Sequence, residues 1–253
     1  DDDDGNGDNS TIVWKVNDTP VTGNGDQLTS NTAFVGGDTV SCTVTPNDGM
    51  GGVGTPKTAS ITISNTAPVV SGVDVTPDSP ATNEDLSCAY SFDDVDGDPD
   101  KSFYTWTVAT SQSGAGNVVG GDSNTLASSN FSRDNWVTCT VTANDGITNG
   151  NSDSDQVRIL NTAPVVSGAY ISPDDPVAST NRLTCNYGYT DIDGDGNSSV
   201  VTWYKNNANV HTGSTYDGPY VGGNQIYCKV KGNDGTTDGN TITSTTITVG
   251  NTA

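Results

Sequence analysis

The chain has 253 residues, with 31 acidic side chains against nine Lys and Arg and a formal net charge of −22. Such a balance repels nucleic acid and anionic membrane surfaces and excludes both as partners, leaving cations and neutral surfaces. No apolar run approaches the ~18 residues a membrane helix needs, so no direct membrane insertion is expected of this segment, and any signal or anchor is expected outside it.

Thirty of the 31 acids are Asp, Glu84 being the exception. Aspartate suits turns and oxygen ligation and is poor in helix interiors, so an all-β chain is expected. In chain order, the sequence opens on an aspartate ladder, Asp2, Asp4, Gly5, Asn6 and Asp8. The alternating segment Ile12-Trp14-Val16 follows, then Val40-Cys42-Val44 and Asn47-Asp48-Gly49. An NTAP string at Asn65 to Pro68 marks a boundary. Beyond it stand Leu86-Cys88-Tyr90, a second ladder (Asp94, Asp96, Gly97, Asp98, Asp100), Tyr104-Trp106-Val108, Val137-Cys139-Val141 and Asn144-Asp145-Gly146. A second NTAP at Asn161 to Pro164 begins the same series: Leu183-Cys185-Tyr187, the ladder Asp191, Asp193, Gly194, Asp195 and Asn197, Val201-Trp203, Ile226-Cys228-Val230 and Asn233-Asp234-Gly235. A truncated NTA closes the sequence at Asn251 to Ala253.

Repetition at this period signifies a tandem array. The expected division is a partial domain over 1–64 that lacks its first strands and first cysteine, whole domains over 65–160 and 161–250, and the start of a further repeat at 251–253. The piece reads as cut from a longer polymer. The missing strands are expected from the upstream part of the same chain or from another copy of it. Apolar side chains alternate with Ser, Thr, Tyr or Lys in the cysteine and tryptophan segments, so each should be a strand with one buried and one wet face. About seven such strands in a unit of this size indicate a two-sheet sandwich.

Cys88 and Cys139, and Cys185 and Cys228, share the inward phase of strands flanking the tryptophan strand. They are expected to form disulfides, each contributing about 4 kcal/mol in the chain-entropy model. The alternative is free cysteines packed as small hydrophobes. Two in-phase cysteines per whole unit suit an oxidising, extracellular or cell-surface compartment. Cys42 has no partner in this chain.

Cysteine, tryptophan and cysteine on successive strands resemble immunoglobulin-like domains, and the aspartate loop with NTAP resembles the PKD-like and cadherin-like tandem repeats of bacterial or archaeal surface proteins. The Cys-to-Trp spacing of 18 residues is longer than in antibody domains, and Val137 and Ile226 stand where a tyrosine corner would. The resemblance implies tandem sandwiches with the ladder and Asn-Asp-Gly loops at one end, beside the preceding linker. It implies no antigen-type recognition.

Oxygens at every second residue around a glycine can converge on a hard cation, and calcium takes six to eight of them. The candidate ligands are Asp94, Asp96, Asp98, Asp100 and Asp145; Asp191, Asp193, Asp195, Asn197 and Asp234; and, more weakly because Asn6 replaces a carboxylate, Asp2, Asp4, Asn6, Asp8 and Asp48. The alternative is a solvated acidic turn. The single histidine, His211, forbids a repeated triad, and no catalysis is expected. The function expected is a calcium-stiffened stalk or filament. An adhesin or carbohydrate-binding module that meets a surface glycan or other cell-surface ligand through Phe131, Trp136, Tyr216 and Tyr220 is the alternative. Asn9, Asn17, Asn130 and Asn197 begin glycosylation triplets.

Overall fold

The computed structural model describes residues 7–29, 33–178 and 182–251, which contain antiparallel strands, one 3-10 turn at Ser128–Asn130 and no α-helix. None of these residues lies in a helix long and apolar enough to cross a membrane. The first unit consists of β1 (Thr11–Val16), β2 (Thr19–Val21), β3 (Thr39–Thr45) and β4 (Lys57–Thr62), in one sheet of order β2-β1-β3-β4. Asn17 and Asp18 take positive φ and close the β1–β2 hairpin in two residues, as short hairpins demand.

The second unit has seven strands in two sheets. Its strands β5 (Val69–Thr76), β6 (Leu86–Asp93), β7 (Phe103–Ala109), β8 (Asn117–Val119), β9 (Thr125–Leu126), β10 (Trp136–Asn144) and β11 (Asn149–Arg158) pair as β5-β6-β9 and β11-β10-β7-β8. The third unit repeats this with β12 (Val165–Ser172), β13 (Leu183–Thr190), β14 (Val200–Lys205), β15 (Ala208–Thr212), β16 (Thr215–Tyr216), β17 (Gln225–Asn233), β18 (Asp238–Thr243) and β19 (Ile247–Thr248). Its sheets run β12-β13-β16 and β15-β14-β17-β18, with β19 also on β17. The eighth strand arises because the last strand is broken into β18 and β19.

These are tandem immunoglobulin-like sandwiches. Strict alternation on β10 buries Val137, Cys139, Val141 and Ala143, and period two is what places them on one face. Cys139 sits opposite Trp106, Cys228 opposite Trp203 and Cys42 opposite Trp14, so the three units share one register. Disulfides Cys88–Cys139 and Cys185–Cys228 join the two sheets of each whole unit across the buried tryptophans. Cys42 is a free, half-buried thiol. In each whole unit one sandwich edge, between the first and last strands, is bridged by side chains. Asn151 accepts from the Val70 amide and donates to its carbonyl, both at 2.8 Å, and Asn240 does the same for Val166 at 2.7 and 2.9 Å.

Candidate metal centres at the domain joints

Each described ladder is folded by its own first carboxylate. Asp94 Oδ1 accepts the backbone N–H groups of Asp96 and Asp98 at 2.9 and 3.1 Å, and Asp191 Oδ1 accepts those of Asp193 and Asp195 at the same distances. A short side chain bonded to its own backbone two residues on is the Asx turn. Gly97 and Gly194, at φ +78° and +79°, supply the left-handed residue that the turn needs. The winding brings one oxygen each of Asp94, Asp96 and Asp98 within 4.8 Å of one another, and likewise Asp191, Asp193 and Asp195.

The second rung of each ladder reaches across the joint. Asp96 accepts from the Gly36 amide in the first unit at 2.7 Å and from the Thr66 amide in the linker at 2.6 Å. Asp193 accepts from the Thr82 hydroxyl in the second unit at 2.5 Å and from the Thr162 amide at 2.7 Å. The two linker amides occupy the same place, one residue after the Asn of each NTAP.

The Asn-Asp-Gly turn supplies the other wall. Asp145 Oδ1 accepts the amides of Ile147 and Thr148, both at 2.6 Å, while its Oδ2 accepts from the Asn65 side chain at 2.8 Å. Asp234 likewise accepts from Thr236 and Thr237, and from Asn161 at 2.7 Å. Burial opposes ionisation of both carboxylates, yet the hydrogen bonds from the Thr148 amide and Asn65, and from the Thr237 amide and Asn161, outweigh it and hold both below the usual range. Asp96 is lowered by the Thr66 and Gly36 amides. Asp98 is raised, by desolvation and then by the charges of Asp94, Asp145 and Asp96.

Among the described residues, the buried side-chain nitrogen and oxygen atoms without a hydrogen-bond partner are Asn65 Oδ1, Asp94 Oδ2, Asp98 Oδ2 and Asp191 Oδ2. All four lie at the joints, three of them at the first. Buried acceptors are ordinarily satisfied, and acceptor oxygens gathered with no donor suit a cation. The donor set is entirely oxygen, which selects calcium or magnesium over zinc.

Other candidate ligands are engaged elsewhere. Asp100 accepts from the Tyr90 hydroxyl and the Ser102 amide, each at 2.8 Å; burial, then this carboxylate, pushes the Tyr90 hydroxyl up to about 12. Asn197 donates to Tyr187 at 3.2 Å and accepts the Ser199 amide at 3.0 Å. Asp8 accepts the Ser10 amide, and Asp48 Oδ1 the amides of Met50 and Gly52. Asp2, Asp4 and Asn6 lie outside the described residues. The ligand candidates missed in the sequence are Asn65 and Asn161; their recurrence as the first residue of each NTAP was the available signal.

No family model matches the chain, and no curated protein matches it. Among solved structures, a two-domain fibronectin type-III segment of chicken tenascin is similar at 15% identity over 71% of this chain and 99% of its own, with a TM-score of 0.38. A titin segment is similar at 12% identity over 96% and 89%, with a TM-score of 0.37. Three N-terminal domains of the bacteriophage RB49 highly immunogenic outer capsid protein are similar at 16% identity over 97% and 89%, with a TM-score of 0.32. Sheet order and the cross-sheet disulfides, rather than these scores, make the domains immunoglobulin-like.

Proposed function

We propose that the chain is a non-enzymatic structural repeat of an extracellular or cell-surface protein, whose domains are spacers stiffened at their joints by calcium. The observation that carries this reading is the group of partnerless buried oxygens on Asn65, Asp94 and Asp98, set between two domains rather than in a cleft of one. Asp94, Asp96, Asp98, Asp145 and Asn65 would hold the ion at the first joint; Asp191, Asp193, Asp195, Asp234 and Asn161 are their counterparts at the second. When bound, calcium would neutralise carboxylates that otherwise repel one another, and these residues already hydrogen-bond to the linker. Two disulfides support an oxidising compartment.

The spacer reading is favoured over the adhesin because, of the four aromatics expected on a binding face, Phe131, Tyr216 and Tyr220 lie in the cores at 7, 4 and 7% exposed and Trp136 is half-buried on β10. The apolar face of the first unit around Cys42 suits a strand of the same repeat type, from the same polypeptide or from another copy. Thermal melts and small-angle scattering with calcium and with chelator test the proposal. An ion that binds only the folded chain stabilises it by about 2.7 kcal/mol at a hundredfold excess over Kd. Calcium should raise the melting temperature and narrow the distribution of lengths; identical melts and scattering in calcium and chelator would overturn it.

A further inference from the structure

The two joints share a scaffold but differ in what faces the convergent oxygens. At the first, Asn65 Oδ1 and Asp98 Oδ2 have no partner. At the second, the same two atoms, Asn161 Oδ1 and Asp195 Oδ2, both accept from Nη1 of Arg133, the former at 2.7 Å and the latter in an ion pair. Arg133 stands six residues before Cys139. The residues six before Cys42 and Cys228 are Gly36 and Gly222. At Gly36 a side chain has no room, since a Cβ would lie 2.5 Å from Asp96 Oδ2 and 2.9 Å from the Asn65 Cα. The first joint is therefore approached by backbone alone, and the second by a guanidinium.

We propose that Arg133 is the resident cation of the second joint, so that one chain carries a joint that depends on a divalent ion and a joint that holds itself closed. The proposal rests on the reading of the first joint as a calcium site. Three carboxylates, Asp94, Asp96 and Asp98, converge there, Asp145 is tied to Asn65 beside them, and among the described residues no basic group is hydrogen-bonded to any of the four. At the second, Asp191, Asp193 and Asp195 converge, Asp234 is tied to Asn161, and Arg133 is paired with Asp195. The guanidinium is always charged, is more weakly hydrated than an ammonium, and holds its donors in a fixed fork, so it suits a permanent place beside a carboxylate and an amide oxygen. A divalent ion entering the second joint must displace Nη1 from Asn161 and Asp195 and is repelled by the charge it displaces. Asp191 Oδ2 stays partnerless at the second joint, so that joint keeps a weaker affinity. A cation at close range costs a competing ion on the order of tenfold or more in affinity, even at an effective dielectric constant near 20.

The test compares the wild-type chain with Arg133→Gly, which installs the residue found at that position in the other two units, on a side chain that is one-third exposed. Calcium titration by calorimetry reads the sites. Hydrogen exchange at the Thr66 and Thr162 amides reads the two joints separately, because each amide is bonded to its own ladder. The wild type should show two unequal sites, with chelator accelerating exchange at Thr66 while Thr162 stays protected. Arg133→Gly should tighten the weaker site until the two are similar, and should make Thr162 protection depend on calcium. Equal sites in the wild type, or Thr162 exchange in chelator unchanged by Arg133→Gly, would overturn the proposal. If neither protein bound calcium and Thr66 were indifferent to chelator, the calcium reading itself would fail. Loss of Thr162 protection in Arg133→Gly alone would still establish Arg133 as the clasp.

Discussion

The Asp98 carboxylate stands among Asp94, Asp145 and Asp96, and desolvation together with their charges raises its pKa. For an acid raised on folding, the protonated form is the one the fold prefers. Its contribution to stability is present at low pH and lost as pH rises through the folded value, so at neutral pH without metal the ionised Asp98 opposes the closed joint. Calcium would remove that opposition. Asp98→Asn should therefore raise the melting temperature in chelator and shrink the further rise that calcium produces; a calcium increment equal to that of the wild type would show that Asp98 faces no ion. The turn of each described ladder was legible because it is made by the ladder's own residues, Asp94 Oδ1 bonding to Asp96 and Asp98 and Asp191 Oδ1 to Asp193 and Asp195. The fourth rung was not. Asp100 and Asn197 leave the turn toward the next strand and meet Tyr90 and Tyr187, a choice made by tertiary packing that spacing along the chain does not encode. Arg133 is similar: it is about sixty residues from Asp195 and has no counterpart in the other repeats to flag it.

Strands with alternating apolar residues, such as β10 and β17, were readable from period two, whereas β11 was not. Its sequence, Asn149 to Arg158, buries one hydrophobe, Val157. The reason is that its polar side chains serve as hydrogen-bonding partners for β5. Asn151 bonds both backbone groups of Val70, while Asp153 accepts from the Val73 amide at 3.3 Å and Asp155 from the Val75 amide at 2.9 Å. Side chains thus take the place of a ladder at the sandwich edge and leave fewer backbone groups open to another strand. Asn151→Ala should leave the Val70 N–H and C=O without these partners, at a cost of about 1–3 kcal/mol. Denaturant unfolding measures it. A loss within a few tenths of a kcal/mol would mean that water replaces Asn151 and that the clasp is incidental.

At the scale of the whole chain the first unit differs from the other two in having, among the described residues, a single sheet. Ile61, opposite Val40 on β3, is 65% exposed, whereas its counterpart Val157, opposite Val137 on β10, is 5% exposed. Trp14 is half-buried where Trp106 and Trp203 are fully enclosed. In the whole units this face is covered by the L-x-C-x-Y strand, β6 or β13, whose cysteine bonds to the one opposite tryptophan. An apolar face with Cys42 in its middle is therefore matched to a strand of the same kind. A peptide with the sequence of residues 65–93, which carries the Cys88 strand, is the direct probe. Added to the folded chain under oxidising conditions, it should bond to Cys42, shift the Trp14 emission to shorter wavelength and protect Cys42 from alkylation, while a Cys88→Ser version should protect without bonding. Without peptide, Cys42 should alkylate readily and the four disulfide cysteines should not. Alkylation of Cys42 at the same rate with and without peptide would show that the face does not accept the repeat's own strand.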